Sequence, residues 1–189
     1  MVQTNKLLAC MIRGKAVEEA IRFAFLKHKD KLSVAAAQSY ANDLYYLRTK
    51  YFPPSIVKSN AQPINSLVRT GINTFLKLGV RSFKNLYSFQ LGKIEQPKFV
   101  FPDFVPKQMS LNNKKFNNCC LELKISNKRN YKVVKRHVEQ CLKYSTKSRK
   151  PVILVYLFYE KKPKKLGIYN AFGKIFIVSE KIFTKKPIV

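Results

Sequence analysis

A chain of 189 residues supplies enough material for one sizeable domain, or for a compact domain carrying an insertion. Hydrophobic residues make up 46% and aromatic residues 13%, which argues against disorder. Only 10 Asp and Glu oppose 37 Lys and Arg, and a net charge of +27 attracts polyanions, nucleic acid first among them. General solubility is the competing explanation of that charge. The basic residues are spread along the chain and form no single amphipathic helix, so an anionic membrane surface fits poorly. No apolar run approaches the ~20 residues of a membrane span. The start, "MVQTNKLLACMIRGK", lacks the apolar core and cleavage site of a signal peptide, so an intracellular, cytoplasmic protein is expected. Cys10, Cys119, Cys120 and Cys141 show no CxxC pairing, which disfavours zinc and suggests reduced core filler.

In chain order, residues from about Asn5 to Lys29 have helical period, with Leu8, Met11, Ile12, Val17, Ile21, Ala24 and Phe25 as the apolar set. Ser33 is placed to cap a second helix, "SVAAAQSYANDLYYLRTKYF", which Pro53 and Pro54 should end. A third, "PINSLVRTGINTFLKLG", should begin with Pro63 in its first turn and stop at Gly79. "VRSFKNLYSFQLG" reads as a shorter helical piece. After Gly92 the texture changes. "KFVFPDFV" and "NCCLELKIS" read as strands, and "YKVVKRHVEQCLKYSTK" as an amphipathic helix with Val134, Val138, Cys141, Leu142 and Ser145 on one face. "PVILVYLFYE" is an unbroken apolar run, the pattern of a central strand covered on both faces. "LGIYNAF" and "KIFIVSEKIF" should add edge strands around a turn at Gly173-Lys174. The sum is an α/β layout: a first helix over 1–30, a helical insertion over 31–92, and a sheet with its helix over 93–189.

Chemistry concentrates around two acids. In "CCLELKIS" alternate side chains share a face, so Glu122 and Lys124 lie together while Leu121, Leu123 and Ile125 point to the core. That leaves Glu122 and Lys124 lining a polar cleft, roughly 6–7 Å apart along the backbone. Asp103, at the end of the preceding strand, supplies a second carboxylate after a gap of 18 residues. One or two carboxylates, retained waters and substrate phosphate oxygens suit Mg²⁺, with Mn²⁺ as a substitute. Such an ion acidifies water and neutralises charge on a scissile phosphate, and a neighbouring lysine positions the attacking water. The alternative is that these acids simply pair with abundant lysines in edge turns.

"FPDFV…CLELKIS" resembles the core of the PD-(D/E)XK nuclease superfamily, and the archaeal Holliday junction resolvases in particular. Those enzymes carry Lys-Gly-x-x-x-Glu on a first helix, then Pro-Asp or Val-Asp, Glu-x-Lys, a basic stretch, a helix and an apolar strand. Arg13-Gly14-Lys15-Ala16-Val17-Glu18 matches the first element with Arg in place of Lys. The resemblance covers about residues 10–28 and 99–158 and leaves out the helical block between them. It implies a restriction-endonuclease-like core, a mixed central sheet flanked by helices, with a helical insertion. It further implies a Mg²⁺-dependent endonuclease acting on branched or junction DNA in recombination and repair, working as a homodimer, from an archaeon or an archaeal virus. Glu18 would join Asp103 and Glu122 at the metal, with Glu19 as the competing acid, and Lys124 would assist the water.

Gln140 and Tyr144 also match the Q-x-x-x-Y motif of RecB-like members, where the glutamine acts near the metal or phosphate; ordinary helix surface explains them equally well. Arg13, Lys15, Lys128, Arg129, Lys132, Lys135 and Arg136 are the candidate DNA contacts. Residues 107–189 hold 21 Lys and Arg against 4 Asp and Glu, a lopsided balance that favours a DNA track. His28 and His137 lack metal-ligand spacing, and His137 is expected as a surface or phosphate contact. No Gly-rich phosphate loop supports an ATP-driven activity. "LSVAAAQSYANDLYYLRTKYF" faintly resembles the DNA-binding helices of tyrosine recombinases, but their His-x-x-Arg pattern is absent. The alternative function is a DNA-binding or architectural protein that has the fold without turnover.

Overall fold

The computed structural model describes residues 2–27, 33–84, 89–91, 98–100, 102–111, 114–117, 119–126, 135–158, 167–171 and 175–179. The chain divides into two compact units, Met1–Lys77 and Leu78–Val189. This is a mixed α/β protein. Among the described residues no helix is long and apolar enough to cross a membrane.

The first unit is helical: α1 (Val2–Lys27), α2 (Val34–Thr49), α3 (Pro54–Ala61) and α4 (Ile64–Lys77). Within it, α1 packs with α2, α3 and α4. Its buried stripe is Ala9, Ala16, Val17, Ala20, Ile21, Ala24 and Phe25. Leu8 and Met11, expected in the core, are 42% and 63% exposed. Small side chains decide this, because the alanines of α1 and Ala37 and Ala41 of α2 let the two helices approach closely. Phe23 stacks on Tyr40 at 4.7 Å between ring centroids.

Ser33 caps α2 as expected, its hydroxyl accepting the Ala36 N–H at 3.1 Å. The helix stops at Thr49, short of the prolines, and Pro54 then opens α3, a helix the sequence reading lacked. A proline ends a preceding helix but also suits the first turn of the next. Asn60, buried on α3, ties the unit together. Its amide oxygen accepts from Cys10 Sγ at 3.0 Å and Arg13 Nη1 at 3.3 Å, and its nitrogen donates to the Ile56 carbonyl at 2.9 Å. Helix α4 follows Pro63 and ends before Gly79, whose φ of +68° is a conformation side chains resist.

The second unit holds β1 (Phe89–Leu91) paired with β2 (Lys98–Val100), and β3 (Met109–Leu111) paired with β4 (Lys114–Phe116). Its main sheet contains β5 (Cys120–Ser126), β6 (Val152–Phe158), β7 (Gly167–Ala171) and β8 (Ile175–Ser179) in the order β5-β6-β8-β7. Strands β5, β6 and β8 are parallel and β7 is antiparallel, so the sheet is mixed. β8 lies inside the sheet, where an edge strand was expected, because it takes the side of β6 that β5 leaves open. Gly173 and Lys174 lie outside the described residues. As expected, β6 is central and buried from Val152 to Leu157. Helix α5 (Lys135–Ser148) packs over β6 and β8, burying Val138, Cys141, Tyr144 and Ser145.

Of the helical piece expected over 80–92, residues 80–84 are not helical and Phe89–Leu91 form β1, while 85–88 and 92 lie outside the described residues. Lys84 N–H donates to the Val105 carbonyl at 2.7 Å and Lys107 N–H to that of Ser82 at 3.0 Å. Val80 and Phe83 are buried, and those backbone bonds replace the intrahelical ones.

Asn60→Ala should lower unfolding free energy by about 1–3 kcal/mol, because it removes a buried acceptor of two donors. Urea denaturation checks this, with Asn73→Ala on exposed α4 surface as the comparison, expected within about 0.5 kcal/mol of wild type.

Candidate active site

The geometry begins at the outer edge of β5. Residue Phe104 forms an isolated antiparallel bridge with Leu121: its N–H donates to the Leu121 carbonyl at 3.0 Å and its carbonyl accepts from Leu121 N–H at 2.8 Å. This two-way exchange carries Asp103 to the next position along, where its Oδ2 accepts the Leu123 N–H at 2.7 Å. The structure thus brings Asp103 beside the strand that bears Glu122 and Lys124. Lys124 Nζ donates to Glu122 Oε1 at 2.5 Å.

The polar cleft expected at Glu122 is not open. Glu122 is 2% exposed, and its neighbours on the opposite face, Leu121 and Leu123, are buried as well. The cover is α5. Cys141 and Tyr144 both lie close enough to Glu122 and Asp103 for those charges to act on them. Burial first, then Glu122, push the Tyr144 hydroxyl up to about 12, although the hydrogen bond from Gln140 works the other way. The Cys141 thiol is raised further still, mainly by burial. Lys124 keeps 21% of its side chain exposed, so the ion pair reaches solvent at the lysine end.

Gln140 Nε2 donates to Tyr144 Oη at 2.7 Å, so the two residues of the Q-x-x-x-Y motif are joined to each other on α5. His137 was expected at the surface or on a phosphate. It is half-buried instead, with Nδ1 2.9 Å from the hydroxyl of Tyr156. Tyr156 sits on β6 directly across from Lys124 and is fully buried. Sequence reasoning missed Tyr156 and Cys141 as site neighbours. The available signal was the one hydroxyl in "VILVYLF", since a buried tyrosine needs a polar partner.

Glu18 belongs to the helical unit. On α1 its carboxylate takes Lys15 Nζ at 2.7 and 2.9 Å and Arg22 Nη2 at 3.1 Å, and it is 8% exposed. Glu19, the competing acid, is engaged across helices by a two-pronged contact from Arg48, both arms at 3.1 Å. Of the candidate DNA contacts, Arg13 is buried against Asn60 and so does not present itself to phosphates. Lys15 is exposed but bonded to Glu18. Arg136 is exposed on α5, and Lys135 begins that helix. Lys128, Arg129 and Lys132 lie outside the described residues, as does His28. Arg81, Lys84, Lys107, Lys143 and Arg149 add further exposed cations on the same unit.

Asp103 and Glu122 offer hard oxygen donors of the kind magnesium prefers, one from each of two adjacent segments. Among the described residues no three His, Cys, Asp or Glu side chains gather at metal-binding spacing. The sheet unit therefore contributes a pair of carboxylates and an amine.

No protein-family model matches the chain, and no curated protein matches it. Among solved structures it is similar to a chain in a Thermococcus gammatolerans assembly of McrB AAA+ hexamers with bound McrC, at 12% identity and a TM-score of 0.33. That alignment covers 92% of this chain and 46% of the other, so this chain spans about half of its length.

Buried groups that hold their protons make stability fall at high pH. Cys119 is raised from 9.0 to about 12 by burial, and Tyr144 from 10.0 to about 12. Below the unfolded values both contributions are complete. They are lost as pH climbs from about 9 toward 12, because the unfolded chain gives up these protons first. Urea unfolding at pH 8 and 10.5 should show the decline, and Cys119→Ala should make it shallower (~9 being the free thiol's onset).

Proposed function

We propose that the protein is a metal-dependent DNA endonuclease with a restriction-endonuclease-like core, hydrolysing phosphodiester bonds in branched DNA of the four-way-junction kind. The observation that carries this reading is the approach of Asp103 to β5 at Leu123, beside the Glu122–Lys124 pair. Asp103 and Glu122 would hold Mg²⁺ or Mn²⁺. When bound, the ion supplies an acidified water and neutralises charge on the phosphate. Lys124, at the solvent end of the pair, orients the attacking water. Gln140 holds the Tyr144 hydroxyl in place. Exposed cations on the sheet unit take the phosphates on either side. Symmetric cutting of two strands calls for two copies of the site, hence a homodimer.

A second reading is favoured by one specific observation. Glu122 is almost wholly enclosed and already paired with Lys124, as a purely structural ion pair would be. Under that reading the protein binds DNA without cutting it.

Cleavage assays separate the two. With Mg²⁺ or Mn²⁺ the wild type should cut labelled junction DNA. Glu122→Ala and Lys124→Ala should bind it and cut at least roughly 10²-fold more slowly. Asp103→Asn keeps an acceptor for Leu123 N–H and loses the charge, so it should fold normally and fail to cut. Binding with no cleavage of junction, flap, duplex or single-stranded DNA would establish the non-catalytic reading.

A further inference from the structure

The end of α2 carries an unusual surface. Tyr46 is 50% exposed, Leu47 63% and Tyr51 86%. Residue Lys50 follows the last helical residue with φ −55° and ψ −25°, so the chain keeps its helical path for another step. Tyr46 and Lys50 therefore share one line of the surface, and Leu47 and Tyr51 the next. The Lys50 ammonium stands 4.8 Å from the centre of the Tyr51 ring. Arg48, also exposed, lies between them in sequence.

This surface is anchored from beneath. Tyr45, fully buried, meets the Tyr46 ring edge-on at 5.7 Å between centroids, and its hydroxyl donates to the Val57 carbonyl at 3.2 Å. Thr49 Oγ1 donates back to the Tyr45 carbonyl at 2.8 Å. Exposed aromatic rings on a rigid base are costly to leave in water, and isolated ones need no explanation. Here two tyrosines and a leucine stand together among cations. Flat rings beside ammonium groups match a nucleobase attached to a phosphate, and the net charge of +27 supplies the long-range attraction.

We propose that the end of α2 is a stacking platform for unpaired bases of single-stranded DNA, with Tyr51 and Tyr46 taking the bases and Lys50 the backbone. It shares only the DNA partner with the nuclease reading and uses none of the residues placed in that site.

The test is anisotropy with fluorescein-labelled oligothymidine and with a blunt duplex of equal length, in EDTA so that metal-dependent cleavage plays no part. Tyr51→Ala should weaken oligothymidine binding about fivefold or more, the effect of losing one stacked base. Tyr51→Phe, which keeps the ring, should bind within about twofold of wild type, and duplex affinity should hold for both variants. Lys50→Ala should make the salt dependence on oligothymidine shallower, by about 0.7 in the log–log slope. Unchanged oligothymidine affinity in Tyr51→Ala overturns the proposal, as does an equal loss on duplex. Sedimentation supplies a further overturning result: a wild-type dimer that Tyr51→Ala converts to monomer would mean that a second copy covers the surface. Circular dichroism confirms that each variant is folded.

Discussion

The paired backbone bonds between Phe104 and Leu121 set everything else at the candidate site. They fix the register of the segment that carries Asp103 against β5, and register in an extended pair admits no small errors. A slip of one residue would turn every side chain to the other face and carry Asp103 away from Leu123. Prolines at 102 and 106 bound the segment, so it cannot lengthen into a full strand by donating further bonds. It still covers the outer edge of β5, which would otherwise offer unpaired backbone groups to another chain. One short segment thus protects an edge and delivers a carboxylate.

Burying Glu122 is expensive in a low-dielectric setting, and its partner Lys124 offsets only part of that cost. A chain selected for stability alone would place an apolar residue in the middle of β5. Glu122 thus breaks the local rule that the middle of a buried strand is apolar. The cover matters too. Cys141 and Tyr144 hold their protons firmly, so they meet the carboxylates as neutral groups and add no competing negative charge. Water has its way in at Lys124, and the opposite face of β5 is closed by Leu121 and Leu123.

Much of the sheet unit was legible from period alone. The alternation in "CLELKIS" gave β5 and the shared face of Glu122 and Lys124, and the unbroken run of β6 gave its central place. Alternation says which side chains share a face and nothing about what covers that face. The enclosure of Glu122 therefore escaped, though a fully covered β6 beside β5 was a hint. Local signals with one meaning worked: Ser33 as a cap, Pro63 and Gly79 as the limits of α4. Signals with two meanings did not. Pro53-Pro54 was taken only as a stop, although Pro54 also starts α3. Val80 and Phe83 suit a helix or an extended stretch, and hydrogen bonds to residues some twenty positions away decided between them.

Scarcity makes each acid informative. With 10 acids against 37 cations, any carboxylate finds a basic partner easily, so pairing alone marks nothing. What differs is how each is held. Glu19 lies across two helices in a partly exposed contact with Arg48, a clasp with modest energetic worth. Glu18 is enclosed and takes Lys15 and Arg22 from its own helix, while Glu122 is enclosed and takes Lys124 from its own strand. Asp103 takes a neutral backbone amide. Together, Asp103, Glu122 and Lys124 carry a net negative charge inside a protein that is positive almost everywhere else.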